Sequence, residues 1–186
     1  GTLSNIDLSS EEKGLIPDEN SKKNTKGEKW YIGDTYHLSI GQGDISVTPL
    51  QMAMAVAAIS NGGALYQPQL VDKIADFKKN VIKDIQPKIV RRDFISPENL
   101  AVVREGMRQT VLTGSAQTLK DLPIEAAGKT GTAQFENSNR THAWFVAFAP
   151  YKNPDIALAI LVEEGGEGNR AALPVAKEVL EWWASQ

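Results

Sequence analysis

Polar and turn-forming residues fill the first quarter of the 186-residue chain, and apolar residues are concentrated further on. Residues 1–47 contain few pairs of apolar residues, which predicts a loop-rich lead-in. Residues 21–29 are rich in lysine, and they are predicted to form a mobile surface loop. Continuous apolar patterning therefore begins only near residue 48.

A helix start follows at that position. Thr48 is typical of an N-cap, Pro49 suits the first helical position, and Gln51 can close a capping box. Apolar side chains then occupy almost every position up to the turn Asn61-Gly62-Gly63, which ends the helix as left-handed cap residues do. Because the helix predicted for residues 48–62 is apolar almost all round, it is expected to be buried.

Two less regular segments lie between this helix and the last third of the chain. Residues 70–95 alternate loosely around a polar Lys-Lys-Asn turn, which predicts an exposed hairpin. Residues 96–112 start with Ser-Pro, a helix-opening pair, and carry an apolar stripe at helical spacing. The stripe consists of Leu100, Val103, Met107 and Val111.

The last third of the chain predicts a sheet. Residues 126–162 contain three strand candidates, at residues 126–134, 143–149 and 156–162. A polar loop at residues 136–141 and a proline-rich turn separate them, and such short turns imply antiparallel pairing. Two of the strands are apolar on both faces, so helices should cover both faces of the sheet. A helix at residues 171–184 supplies one cover, and the predicted fold class is α+β.

Composition narrows the possible functions. The formal net charge of −3 gives no basic excess, which argues against a nucleic-acid partner. The lack of cysteine excludes disulfides and thiolate metal sites. No apolar stretch approaches the roughly 20 residues of a membrane span, so any anchor of the parent protein is expected outside this chain. Neither a cofactor nor a metal ion is implied.

The candidate chemistry lies in the strand segment Gly128-Lys129-Thr130-Gly131-Thr132. Lys129 offers a fixed positive charge, Thr130 and Thr132 offer hydroxyls, and Gly131 lets a ligand backbone approach closely. This set suits an extended peptide that ends in a carboxylate and adds to the strand edge, where a backbone N–H could also stabilise an oxyanion. Taken alone, Lys-Thr-Gly is better explained by an ordinary strand with a bulge glycine and a solvated lysine, because three residues recur by chance.

Further motifs stand in a fixed order around this segment, and jointly they resemble the transpeptidase domains of class B penicillin-binding proteins. Two early segments, Ile6-Asp7-Leu8 and residues 30–35, are most similar to the elongation type, penicillin-binding protein two. The resemblance covers nearly the whole chain, and only residues 72–95 contribute little. The other motifs are Ile40-Gly41-Gln42-Gly43, Thr48-Pro49-Leu50-Gln51, Asn61-Gly62-Gly63, the strand that begins His142-Ala143-Trp144-Phe145, and Glu164-Gly165-Gly166.

The resemblance implies a serine acyltransferase fold with a five-stranded sheet, of which this chain would hold about three strands. It implies acyl transfer from a D-alanyl-D-alanine stem peptide to an amine on a neighbouring peptidoglycan strand, and binding of β-lactam antibiotics. Lys129 would be catalytic, organising protons and attracting the substrate carboxylate. Thr130 and Thr132 would bind that carboxylate, with the Thr132 N–H as half of an oxyanion hole, and Gly131 would leave room for the acyl chain.

The nucleophilic serine and the Ser-x-Asn loop of the family precede, in family order, the first residue of this chain. The chain is therefore expected to be the C-terminal part of a single transpeptidase domain, inactive by itself. Ser10-Glu11-Glu12-Lys13 has the spacing of the nucleophile motif, but its polar neighbours predict a surface segment. Tyr151-Lys152-Asn153 is predicted to be a turn, and a structural role is expected for His142.

The resemblance also implies a cellular location and partners for the parent protein. The parent protein would lie in the bacterial inner membrane through an N-terminal anchor, with its catalytic domain on the periplasmic side and cell-wall elongation proteins as partners. Alternatives of the same fold are a penicillin sensor, a non-catalytic scaffold, and a hydrolytic relative such as a D,D-carboxypeptidase or a β-lactamase. The Thr-Pro-Leu-Gln helix and the His-Ala-Trp-Phe strand favour a transpeptidase over the hydrolytic relatives, whereas a sensor or scaffold would differ in the nucleophile region upstream of Gly1.

Overall fold

A computed structural model describes residues 1–134 and 140–186. Within these residues, five α-helices and seven β-strands follow one another, with a 3-10 helix at Gln117–Asp121 between the fourth helix and the fifth strand. In chain order they are α1 (Glu19–Lys26), α2 (Ile32–Ser39), α3 (Pro49–Ser60), β1 (Leu65–Tyr66), β2 (Lys73–Ala75), β3 (Val81–Asp84), β4 (Ile89–Arg91), α4 (Pro97–Leu112), β5 (Ala127–Gln134), β6 (Thr141–Ala149), β7 (Ile156–Val162) and α5 (Ala172–Ala184).

The central sheet has the strand order β5-β6-β7, and both pairings are antiparallel. The register of β5 on β6 runs from Ala127 opposite Phe148 to Gln134 opposite Thr141. Most of the polar loop predicted at residues 136–141 lies outside the described residues. Within the described part of the chain, β5 and β7 each pair with β6 alone, so both are edge strands.

Helices cover both faces of this sheet. On one face the fully buried Phe145 packs in a cluster with Leu173 and Leu180 of α5. On the other face Phe148, also fully buried, packs with Val56 of α3 and Met107 of α4. The α+β class, with an antiparallel sheet between helices, is therefore confirmed.

α3 begins through the predicted cap. The Thr48 hydroxyl accepts the N–H of Gln51 at 3.2 Å, and the Gln51 side chain accepts the N–H of Thr48 at 3.0 Å. The helix is less deeply buried than its composition predicts, because only Val56, Ala58 and Ser60 are buried. At its end the backbone turns left-handed at the two glycines that follow Asn61, while Asn61 itself keeps a negative φ.

The stripe predicted on α4 needs one correction. Leu100, Met107 and Val111 are buried, but Val103 is 44% exposed. At about 100° per residue, Val103 is turned about 60° from Leu100 around the helix axis, which places it at the margin of the buried face. The inward position next to Val103 belongs to Arg104, whose guanidinium lies 5.0 Å from the ring centre of Phe148.

The exposed hairpin is narrower than the predicted range of residues 70–95. β2 pairs with β3 as a hairpin, whereas β4 pairs with β1 in a separate two-stranded sheet. Pro68 and Pro87 lie between the two ladders. Proline has no N–H to donate to a ladder, which explains why one continuous hairpin does not form.

The prediction of a mobile loop at residues 21–29 is wrong, because residues 19–26 form α1. The Asp18 carboxylate accepts the N–H of Ser21 at 2.7 Å, and the Ser21 hydroxyl accepts the N–H of Asp18 at 2.8 Å. Gly27 ends the helix with a φ of 70°. These caps satisfy backbone groups at both ends, and they stabilise a short polar helix that has little apolar surface to bury. Among the described residues, no helix has the length and apolarity needed to cross a bilayer.

Candidate active site

The Lys-Thr-Gly segment lies in the middle of the edge strand β5. Lys129 and Gly131 are opposite Val146 and Trp144 of β6, on the sheet face that α3 covers. Thr130 alternates with them and is on the face of α5. Lys129 and Thr132 are exposed, and Thr130 and Gly131 are half-buried. All of the predicted site residues are therefore together on one accessible strand edge.

Two side chains show which backbone groups of β5 point away from β6. Lys129 Nζ donates to the carbonyl of Thr130 at 2.7 Å, and Gln42 Nε2 donates to the carbonyl of Thr132 at 3.1 Å. In an antiparallel strand the N–H and C=O of one residue point to the same side. The N–H groups of Thr130 and Thr132 therefore also lie on the unpaired edge, where a ligand backbone can reach them.

A groove of about 740 Å³ runs along this edge. β5 forms one wall, and the segment that leads from the end of α2 to the start of α3 forms the other. Apolar side chains from Trp144 and Val146 of β6 and Leu161 of β7 make its floor. The second wall consists of Ile40, Gly41, Gln42, Ile45, Ser46, Val47 and Met52.

Both threonine hydroxyls of the segment have fixed neighbours. The Thr130 hydroxyl is 2.8 Å from the hydroxyl of Ser115, which follows α4. The Thr132 hydroxyl accepts the N–H of Gly168 at a long distance of 3.5 Å. Each hydroxyl keeps capacity for a further hydrogen bond, because a hydroxyl has one donor and two acceptor positions.

Two close approaches need glycine. A Cβ on Gly131 would lie 3.1 Å from the Cβ of Trp144, so a side chain there would push against the groove floor. Gly168 is buried, and a Cβ on it would lie within 2.5 Å of the Gly131 carbonyl oxygen. The loop before α5 therefore rests directly on the backbone of the Lys-Thr-Gly strand.

The second wall is held by polar contacts. The N–H of Gln42 donates to the carbonyl of His37 at 2.9 Å, which anchors the glycine turn on the end of α2. Lys26 of α1 forms an ion pair with Asp44 at 2.6 Å, just beyond that turn. Lys22, also of α1, forms an ion pair with Asp34 of α2 at 2.7 Å.

The pair of Lys22 and Asp34 carries the clearest electrostatic effect near the groove. The hydrogen bond from Lys22, followed by that from the Tyr31 N–H, lowers the pKa of the Asp34 carboxyl below its usual 3.8. The hydrogen bond to Asp34 raises the pKa of the Lys22 ammonium above its usual 10.5. Both groups are therefore charged across the neutral range, and together they join α1 to α2.

Three other sequence candidates can be placed. Ser10 is exposed, with a φ of 67°, and the segment from Ser10 to Lys13 is not helical. The Tyr151-Lys152-Asn153 segment lies in the bend between β6 and β7. His142 lines the groove, and its Nδ1 accepts the N–H of Glu164 at 3.1 Å, a contact that ties the end of β7 to β6.

Sequence reasoning assigned no role to Gln42, Ser115 or Trp144, although all three contact the site segment or line the groove. Gln42 and Trp144 lie in motifs that carried the family resemblance. Ser115 follows α4, and nothing local to it in the sequence points to Thr130.

The arrangement can bind an extended chain along β5, hold a carboxylate with Lys129 and the threonine hydroxyls, and direct the Thr132 N–H at a carbonyl oxygen. Within residues 1–134 and 140–186, no group of three or more acidic or histidine side chains is arranged to hold a metal ion.

Comparison with known proteins identifies the family. The family described as "Penicillin binding protein transpeptidase domain" matches residues 1–181. The peptidoglycan D,D-transpeptidase MrdA of Acinetobacter baumannii is 33% identical over 197 residues, which cover 98% of this chain and 29% of the relative. MrdA of Escherichia coli K12 is 32% identical over 185 residues, which cover 90% of this chain and 29% of the relative.

Solved structures agree in fold. The structure of Pseudomonas aeruginosa PBP2 in complex with WCK 5153 superposes with a TM-score of 0.80 at 35% identity, over 95% of this chain and 39% of that one. Helicobacter pylori PBP2, in its complex with MreC, gives a TM-score of 0.80 at 31% identity, over 97% of this chain and 33% of that one. The chain thus spans between 29% and 39% of the length of these relatives. The chain therefore belongs to the penicillin-binding protein transpeptidase domain family, and the relatives named here are of the MrdA or PBP2 kind.

Proposed function

We propose that the protein to which these residues belong is a serine-type peptidoglycan D,D-transpeptidase, and that this chain supplies the strand that binds the acyl donor. One observation carries the proposal. The segment from Lys129 to Thr132 lies on an unpaired strand edge beside a groove of about 740 Å³, with the carbonyls of Thr130 and Thr132 turned to that edge. An edge of this kind can accept an extended stem peptide as an additional strand.

Each residue from Lys129 to Thr132 has its own role in binding the acyl donor. Lys129 attracts the terminal carboxylate of the donor and helps to organise protons. Thr130 and Thr132 donate their hydroxyls to that carboxylate, and the Thr132 N–H is one donor of the oxyanion hole. Gly131 keeps the strand flat against Trp144, which leaves the groove open for the acyl chain.

The reaction proceeds in two acyl transfers. A serine hydroxyl attacks the carbonyl of the penultimate D-alanine and loses its proton to a base, which passes the proton to the amine of the terminal D-alanine as this leaves as a free amino acid. An amine of a second stem peptide then attacks the ester and forms the amide cross-link, and a proton of that amine passes through the base to the serine oxygen. With a β-lactam the reaction stops at the ester, because the amine that is released when the ring opens stays covalently attached to the acyl group.

The proposal extends to location and partners. The intact protein would be anchored in the inner membrane by a segment outside these residues, with the groove on the periplasmic side. PBP2 of Helicobacter pylori forms a complex with MreC, and this supports partners of the cell-wall elongation type here.

Labelling with a fluorescent penicillin tests the proposal. The intact protein should be labelled covalently on one serine. The 186 residues alone should form no adduct, because Ser10 is in an exposed bend, outside any helix that could hold a lysine beside it. Stoichiometric label on Ser10, or on Ser46 of the groove wall, would overturn this expectation.

Product analysis separates transpeptidation from the related activities. Incubation of the intact protein with a D-alanyl-D-alanine peptide and an amine acceptor should give the cross-linked amide and free D-alanine. Hydrolysed donor alone would indicate a carboxypeptidase, and rapid turnover of penicillin a β-lactamase. Label without any peptide turnover would indicate a sensor or a scaffold.

A further inference from the structure

Gln42 joins the two walls of the groove. Its backbone N–H donates to the carbonyl of His37 in α2, on the side of the second wall (hereafter the lead-in wall), at 2.9 Å. Its side-chain amide donates to the carbonyl of Thr132 in β5, which forms the other wall (hereafter the strand wall), at 3.1 Å. The two residues are 90 positions apart in the chain. Gln42 is half-exposed, in a turn between two glycines, so a ligand in the groove would lie beside its amide.

The Thr132 carbonyl lies where the ladder gives it little support. The described pairing of β5 with β6 runs to Gln134, two residues beyond Thr132. Because this carbonyl points away from β6, no ladder hydrogen bond fixes its direction. The amide of Gln42 therefore supplies an orienting contact that the sheet does not.

The hydrogen bond from Gln42 leaves room for a ligand. A carbonyl oxygen has two lone pairs, and Gln42 occupies one of them. A strand added to the edge of β5 would donate its own N–H to the other, since an edge residue pairs through both its N–H and its C=O. A carbonyl that is already oriented loses less freedom when that second bond forms.

We propose that Gln42 is a positioning residue that holds the Thr132 carbonyl ready to accept the amide N–H of the acyl donor, an inference that rests on the proposed function. The Thr132 N–H belongs to the preceding peptide group, next to the laddered Gly131. Gln42 therefore acts on recognition of the donor amide rather than on the oxyanion donor. It favours acyl donors that carry an amide N–H at this position over donors that lack one.

Two β-lactams distinguish an effect on recognition of the donor amide from an effect on the oxyanion donor. Ceftriaxone carries an acylamino N–H beside its ring, and the carbapenem imipenem carries none. The second-order acylation rate constant of the intact protein is measured with both. Gln42→Ala should lower the rate with ceftriaxone about tenfold, the upper range for loss of one neutral hydrogen bond, and change the rate with imipenem by less than about twofold. Gln42→Glu, which keeps the length but cannot donate, should shift the ratio in the same direction.

Gln69→Ala is the matched control, since Gln69 is also half-buried and donates its amide to a carbonyl, that of Ile85 at 3.2 Å, away from the groove. It should change neither rate. Rates are referred to the fraction of each variant that can be acylated. Equal losses with both antibiotics, unchanged rates, or faster reaction with ceftriaxone would each overturn the role of Gln42. Failure of the unaltered protein to react with either antibiotic would overturn the proposed function as well.

Discussion

The two walls of the groove are stabilised by different interactions. The strand wall belongs to a sheet in which Phe145 and Phe148 are fully buried between helices. Apart from Met52 of α3, the facing wall belongs to residues 1–47, in which only Ser4, Pro17 and Lys22 are buried. That lead-in is held by helix caps and by ion pairs from Lys22 and Lys26 rather than by an apolar core.

This difference predicts which wall can change its shape when a ligand binds. A packed apolar interior resists change in shape, since each displaced group loses dispersion contacts and leaves a void. Ion pairs near the surface contribute about 0–1 kcal/mol each, and side chains in them can rearrange in water. We expect the strand wall to keep its geometry when a ligand binds and the lead-in wall to move against it.

The largest effect should come from the core behind the strand wall. Phe145→Ala removes a fully buried ring between the sheet and α5, and it should lower the free energy of unfolding of the domain by about 3–5 kcal/mol. Thermal or urea unfolding of the intact protein measures this. The control Phe77→Ala, at a ring that is 92% exposed, should stay within about 0.5 kcal/mol. Similar losses for both variants would remove the contrast between core and periphery.

The next effect concerns function on the same wall. Lys129→Ala in the intact protein should lower acylation by penicillin by on the order of a hundredfold, typical for loss of one positioned charge. The melting temperature should barely change, because Lys129 is exposed. Lys152→Ala, at another exposed lysine, should alter neither quantity. A large loss of stability with normal acylation of the folded fraction would mean that Lys129 is structural.

A smaller effect should follow from the partner of Thr130. Ser115→Ala removes the hydroxyl 2.8 Å from that of Thr130, which then loses its fixed direction. Acylation should slow by about threefold to tenfold, the range for one hydrogen bond. Ser185→Ala is the control, because it removes a hydroxyl near the end of the chain that bonds only to neighbouring groups, the carbonyl of Trp182 and the side chain of Gln186, and it should leave the rate unchanged. An unchanged rate in Ser115→Ala would show that Thr130 needs no such support.

The smallest effect should be confined to the lead-in wall and depend on pH. The folded pKa of Asp34 is lowered, so its pairing with Lys22 contributes stability above pH 3.8 and loses it as the pH falls through the lowered pKa. The raised pKa of Lys22 makes the same contribution disappear only as the pH rises beyond 10.5. Hydrogen exchange in α1, compared between the native protein and Asp34→Asn, measures this. As the pH falls through the lowered pKa of Asp34, the exchange rates of the two proteins should converge. A difference that stays constant down to low pH would contradict the stabilising role of the pair of Lys22 and Asp34.

The sheet and its helices could be predicted because burial leaves a strong pattern. The strand pairing, the cap at Thr48 and the covering helix α5 all follow from apolar periodicity and turn residues. The lead-in helices were missed because α1 has almost no apolar residues, although Asp18, Ser21 and Gly27 were visible cap signals. The exposure of Val103 was not predicted, because Arg104 takes the inward position with the aliphatic stem of its side chain. A count of apolar residues overlooks such an arginine.

The site was predictable as a segment but not as an assembly. Lys-Thr-Gly and its neighbours in sequence identified the strand and its exposed edge. The contacts of Gln42 and Ser115 with that strand join residues 90 and 15 positions apart, and no local pattern encodes either one. Such contacts depend on how separate elements pack, which a single sequence specifies only through the whole fold.

The close packing of Gly168 on the strand extends the sensitivity of the site to substitution beyond the groove itself. Any side chain at Gly168 would meet the backbone of Gly131, and its N–H faces the Thr132 hydroxyl. A substitution in the loop before α5 would therefore displace groups of the strand edge without altering any of them. Under the proposed function, a β-lactam would select for change at a residue that does not line the groove.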